Sequence, residues 1–275
     1  MFKSKIISAL ALTTLMSGCV VIAGSPSRAD FHQREELTLD AKSLVAFDIE
    51  AGAGALIVHG EEGLTNIQIT ADIYTDKKNP NAYDLSLTQS GKLGYLVAKN
   101  SHTSGFWNGN SPHIDLTIRV PAHLKLMVDD GSGDIEISQM NGELNIKDGS
   151  GGISVKYINN NINIKDNSGG IDIQFVNGSV DIDDGSGEIS VSNIEGELSI
   201  EDGSGAIYAK NVTGNVQIND GSGDLTVRNI SGVVTLDDGS GNIDVEDTGG
   251  LKIIDAGSGG LRVNNVQGDL NIDSE

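Results

Sequence analysis

An 18-residue phrase, first met as "DGSGDIEISQMNGELNIK" at residues 130–147, returns in register eight times and ends at Asp273. Position 1 is Asp130, Asp148, Asp166, Asp184, Asp202, Asp220 and Asp238, then Ala256. Position 3 is serine and position 4 glycine in all eight copies, from Ser132 and Gly133 to Ser258 and Gly259. Apolar residues recur at positions 6, 8, 11, 15 and 17, as in Ile189, Val191, Ile194, Leu198 and Ile200. Alternation with period two marks short strands with one buried face, and the Gly and Asp positions mark tight corners. One coil has too few aliphatic side chains to offset the ordering of its own backbone. Stacked coils share ladders and a continuous core, which is why the phrase must repeat. The predicted fold is all-β, a single-stranded β-solenoid (β-helix) with 18-residue coils. Eight coils at ~4.8 Å each give a rod of about 38 Å.

Other solenoids fit less well. A left-handed hexapeptide helix needs a six-residue period, whereas this chain repeats nine plus nine. Calcium β-rolls place Asp at position 6 of their nonapeptide, and here that position is Ile or Leu throughout. An ice-binding face needs a flat Thr array, and outward position 7 runs Glu136, Ser154, Asp172, Ser190, Tyr208, Thr226, Asp244, Arg262. The seventh coil breaks the rule: Lys252 falls where an inward aliphatic belongs, so a bulge shifting the phase by one is expected there.

Composition agrees with a turn-dense β chain: 275 residues contain 36 glycines and four prolines. The net charge of −21 argues against nucleic acid as a partner, which would need a basic footprint. Acidic character also keeps an elongated β-protein soluble and its edges unpaired.

Residues 1–18 read as a signal peptide, with Lys3 and Lys5 ahead of an apolar run too short to span a bilayer. Cys19 is the only cysteine, so no internal disulfide can form. "LMSGC" resembles the lipobox of bacterial lipoproteins, which implies acylation of Cys19, with Met16 standing where Leu is usual. Val20 follows rather than an Asp that resembles an inner-membrane retention signal, so the expected address is the outer membrane or cell envelope, periplasmic or surface-exposed. Residues 19–35 then form a lipid-anchored tether. Residues 36–129 are β-like but out of frame. "AGAGALIV" (51–58) looks like a degenerate opening of the same coil, and the region is expected to form irregular N-terminal coils that also cap the solenoid. The eight repeats occupy 130–273.

The "GAG-L-V" opening, the "IRVP" strand before the first repeat and the "GSGDI-I" repeats resemble a bacterial β-strand-repeat domain of unknown function, the "putative adhesin" family. The resemblance covers roughly residues 45–273. It implies a single-stranded β-helix and an adhesive role, with no catalytic residues to carry over, and fold alone does not give function.

Among candidate sites, the acidic ladder stands first. Asp183–Asp184, Glu201–Asp202 and Asp237–Asp238 fall at one corner of successive coils, interrupted by Asn219–Asp220. Carboxylates ~4.8 Å apart repel by about 1 kcal/mol per neighbour in water, so something must compensate. Either each position-1 Asp accepts N–H bonds from its own Gly-Ser-Gly turn, or calcium binds at Asp183, Asp184, Asp202, Asp237 and Asp238. The turn-bonding account is favoured, because Lys147 and Lys165 stand at position 18 of the first two coils. The position-3 serines and the column Asn193, Asn211, Asn229, Asn265 read as structural. No enzyme constellation emerges, and all five histidines precede the repeats. His113 and Asp115 could share a metal but read as a solvated pair. "NSHTSGFWNGNSPH" (100–113) holds Phe106 and Trp107, which either contact a ligand or plug the open end of the solenoid. The chain is therefore expected to be a non-catalytic envelope lipoprotein, a rigid acidic adhesin-like surface or spacer for an unknown envelope protein or glycan. A carbohydrate-active enzyme using paired carboxylates and a calcium-dependent binding module are the alternatives.

Overall fold

The computed structural model describes residues 29, 31–76, 80–101 and 111–272, and every regular element among them is a β-strand. The signal peptide, Cys19, and the 102–110 stretch with Phe106 and Trp107 lie outside the described residues.

The repeats form the solenoid. In the first coil, β9 (Ile135–Met140) and β10 (Leu144–Asp148) lie on opposite faces of a flattened tube. Each coil stacks on the next in parallel at a register of 18, as in Ile153↔Ile171 and Leu144↔Ile162. Side chains at positions 6, 8, 11, 15 and 17 turn inward. Ile189, Val191, Ile194, Leu198 and Ile200 are all buried, and the same column runs from coil to coil as one core. At the far end the eighth coil still pairs in parallel, at a register of 18 for Ile243↔Leu261 and of 19 for Leu251↔Leu270, but Leu261, Leu270 and Ile272 are exposed.

The irregular coil follows the expected bulge. Coil 7 loses one residue between Ile230/Val233 and their partners and regains it between Leu236 and Asp237. Between these points the phase shifts by one. Leu251 and Ile253 therefore enter the core, and Lys252 points to solvent.

Residues ahead of the repeats belong to the same sheet system, in a different order. They form β1 (Phe31–Asp40), β2 (Ala46–Ala51), β3 (Leu56–Glu61), β4 (Asn66–Thr75), β5 (Tyr83–Ser90), β6 (Leu93–Asn100), β7 (His113–Pro121) and β8 (Lys125–Asp130). The coil made by β2 and β3 lies between two later segments: β2 pairs with β6 and β8, and β3 with β7 and β9. Its corner matches the repeat, since Ala53 bridges Ser132 and Gly54 shares the φ of Gly133, 131°. Beyond β6 and β7 the stack ends in antiparallel strands, β5 on one face and β4 then β1 on the other. Leu37, Leu39, Tyr83, Leu85 and Leu87 from these strands pack against the end of the core. Charged Arg34, Glu35 and Glu36 on edge strand β1 discourage further pairing.

Candidate functional site

Each coil turns twice, and both corners hold candidate residues. At the first, position 1 ends a strand with its side chain directed inward. Asp130, Asp148, Asp166, Asp184, Asp202, Asp220 and Asp238 are all buried, so the solenoid carries a column of acids along one edge of its core. From Asp148 onward one oxygen accepts a hydrogen bond from the position-3 backbone N–H, for example Ser204 N to Asp202 Oδ1 at 3.1 Å. The conserved spacing of Asp and Ser thus builds an Asx turn in which the serine contributes its backbone. The second oxygen, Oδ2, has no protein partner in any of the seven.

Burial without full pairing raises the pKa of every member. Asp148, Asp184 and Asp220 are pushed up to about 6, by desolvation first. Neighbouring aspartates in the column add to the shift, while the turn N–H bonds oppose it. Asp166, Asp202 and Asp238 move in the same direction for the same leading reason. Asp130 moves furthest, to about 7, under desolvation and then the charge of Asp148.

The adjacent acids at position 18 point the other way. Asp183 is exposed and pairs with Lys165 at 3.0 Å across one coil spacing. Asp237 is partly exposed and lies in a column that passes through Glu201 and Asn219 before reaching it. The five proposed calcium ligands therefore divide: Asp184, Asp202 and Asp238 face the core, and Asp183 and Asp237 face solvent. Consecutive strand residues cannot converge on one ion, which is the physical reason the pairs separate. No group of three His, Cys, Asp or Glu suited to a metal occurs among the described residues.

His113 and Asp115 stand 3.9 Å apart on β7, but each has other engagements. Asp115 Oδ1 accepts the Ala55 N–H at 2.9 Å, and His113 stacks on Tyr74, which stacks in turn on His32. Asp72 beside them binds Arg34 through two hydrogen bonds and His32 through a third, which lowers its pKa. Cross-strand pairing of this kind ties β1, β4 and β7 together.

At the second corner, position 10 adopts left-handed backbone in all eight coils, with φ between 53° and 61°. Asn193, Asn211 and Asn229 join Oδ1 to Nδ2 along the axis at 2.9 and 3.0 Å. The first three coils place Gln139, Tyr157 and Phe175 in the same conformation. Tyr157 and Phe175 stack at 5.1 Å with planes 4° apart, and both are exposed. The sequence reading passed over this pair. Its signal was the run of asparagines at one position, since Asn is the side chain that best tolerates φ near +60° after glycine.

No family model matches the chain, and no curated protein matches it. Solved structures do. A protein from Parabacteroides distasonis named a putative lipid binding protein superposes with a TM-score of 0.55 at 16% identity, over 88% of this chain and 97% of that one. A putative adhesin from Bacteroides fragilis gives 0.46 at 13% identity, over 88% and 97%. A putative cell adhesion protein from Clostridium sporogenes gives 0.33 at 14% identity, over 88% and 98%. At such identities the likeness to the Parabacteroides distasonis structure establishes a shared β-repeat fold, and activity has to be argued from this chain's own residues.

Proposed function

We propose that this chain is a non-catalytic lipoprotein of the bacterial envelope, held at the outer membrane through Cys19, whose acidic β-solenoid is a rigid binding surface or spacer. The disposition of its carboxylates carries this reading. A glycosidase of the usual kind needs two carboxyl groups facing one cleft about 5–10 Å apart, one protonated and one ionised. Here the position-1 acids with raised pKa are buried in the core, and their position-18 neighbours point away from them. Among the described residues, the one partly exposed acid with a raised pKa, Asp48, owes it to desolvation and then to the charges of Glu50 and Asp129. Outward acids are instead distributed along the coils, some of them paired laterally, Asp172 with Lys156, Asp183 with Lys165, Asp244 with Arg228. The Parabacteroides distasonis protein of this fold is named for binding rather than turnover, which agrees. The test is fractionation of cells carrying Cys19→Ser. Wild type should sediment with outer membranes and the variant should become soluble. A variant that still sediments after a salt wash would remove the lipid anchor from this reading.

A further inference from the structure

The left-handed column holds one anomaly that stability does not explain. Asn193, Asn211, Asn229, Asp247 and Asn265 suit positive φ, whereas Tyr157 and Phe175 do not. A bulky side chain held there strains the backbone, and an aromatic stack recovers only part of that cost. Nor do the rings gain what full burial would give, being 55% and 45% exposed. Two successive coils thus hold an aromatic step out to water at a conformational cost.

The step borders a shallow groove that runs along the corner through coils 2 to 5. The rings of Tyr157 and Phe175 are its apolar part, since Val176 and Ile194 beneath it turn into the core, and the carboxamides of Asn159, Asn177, Asn193 and Asn211 lie around them. Glu195 is the only charged side chain in the lining, although the chain as a whole carries −21. Such a surface attracts cations weakly, and the negative field around it repels anions. Strand addition by a peptide is closed off as well. The backbone N–H groups of Asn177, Glu195 and Thr213 already bond the carbonyls of Ile158, Val176 and Ile194 in the preceding coils, at 2.8, 2.8 and 3.0 Å. The ligand that remains is uncharged, has C–H faces to lie on the rings, and carries hydroxyls that both give and take hydrogen bonds, as carboxamides do. Those are the properties of a neutral glycan.

We infer that this corner of coils 2 to 5 binds an uncharged glycan chain lying along the solenoid axis, stacked on Tyr157 and Phe175 and hydrogen-bonded by Asn177 and by the N–H and lone-pair positions that Asn159, Asn193 and Asn211 keep beyond their bonds along the axis. The inference rests on the reading of the solenoid as a binding surface, and adds the ligand class and the address.

Calorimetry of the full chain in mild detergent tests it, with neutral glucan and mannan oligosaccharides as probes and alginate oligosaccharide as the anionic comparison. A neutral probe should bind, and the double variant Tyr157→Asn/Phe175→Asn should weaken it about tenfold or more. Asn is the residue four other coils place there, so the melting temperature should hold or rise. If that variant folds poorly, Tyr157→Gln, which copies coil 1, should weaken binding, and Phe175→Tyr should preserve it. Equal binding by the folded double variant, or preference for alginate or for an envelope protein at this corner, overturns the inference. Failure of every neutral glycan to bind also overturns it, while leaving the non-catalytic surface with a different partner. Shortened oligosaccharides after incubation would instead overturn the non-catalytic reading.

Discussion

At the Asp-Gly-Ser-Gly corner the coils repeat nearly the same residues, Asn167 and Ala256 being the departures, turn the aspartate into the core and let neighbouring backbones approach closely. At the opposite corner the backbone repeats just as faithfully, always left-handed at position 10, but the side chain there points to water and changes from Gln to Tyr, Phe, Asn and Asp. The two turns meet the same demand, reversing an extended chain in a few residues, by different means. Both keep a glycine where the neighbouring backbone leaves no room for a Cβ, Gly205 at the first and Gly196 at the second. The first also fixes its aspartate and serine, whereas the second fixes only the φ of position 10 and leaves that side chain free for display. Stability and recognition can then be assigned to different edges of one rod.

The largest effect should come from the glycine that the first corner cannot replace. A Cβ on Gly205 would lie 1.6 Å from the Gly187 carbonyl oxygen, and its φ is 153°. Gly205→Ala should cost about 4 kcal/mol or more, or unfold the surrounding coils, as read by chemical denaturation. Tyr157→Ala at the other corner should change stability by less than about 1 kcal/mol. Comparable losses would erase the distinction between the corners.

Next is pH. The buried aspartates have higher pKa values folded than unfolded, where Asp titrates near 3.9. The folded state therefore binds more protons between about pH 4 and pH 7, the window set by Asp148, Asp184 and Asp220 near 6 and Asp130 near 7. Stability should fall as pH rises through this window. Melting at pH 5 should exceed that at pH 8 by roughly 5–10 °C, equivalent to ~3 kcal/mol. A melting temperature that rises towards pH 8 would mean that the column is compensated by a bound cation, which chelation would then reveal.

A single column member sharpens the point. Asp202→Asn keeps the oxygen that accepts Ser204 N–H and removes the charge, so it should stabilise the chain at pH 8 by about 1 kcal/mol and flatten the pH dependence. Asp202→Ala leaves that N–H without its acceptor and should destabilise by ~1–3 kcal/mol. The smallest effect belongs to Phe175→Asn, expected to gain about 0.5–1 kcal/mol because relief of the backbone strain modestly exceeds the lost stacking. A clear loss of stability there would make the aromatic step a structural device.

The coil and its core were legible because period-two alternation is decided by local burial, and the bulge at Lys252 followed from the same rule. The Asx turn at the aspartates from Asp148 onward was also legible, since Asp, Ser and their spacing define it. Inward orientation of Asp184 and its equivalents was not, because an acid next to an acid reads as solvent-facing until the strand's phase is carried through the corner. The left-handed state of Tyr157 and Phe175 was hidden for a related reason: their residue types argue against the conformation that the stacked coils impose. The placement of β2 and β3 between later segments leaves no trace in composition at all.

That placement bears on the order in which the chain can assemble. Contacts within the repeats join residues 18 apart, as Asn193 does with Asn211, so closing each new coil costs little loop entropy. The coil of β2 and β3 instead waits for partners such as Ser138, which lies 79 residues from His59. Segments with such distant partners close slowly, whereas repeats can start anywhere and propagate. On a chain delivered amino end first, β2 and β3 emerge early yet find both neighbours late. The repeats can zip up in the meantime, and the antiparallel end then closes onto a rod already partly built.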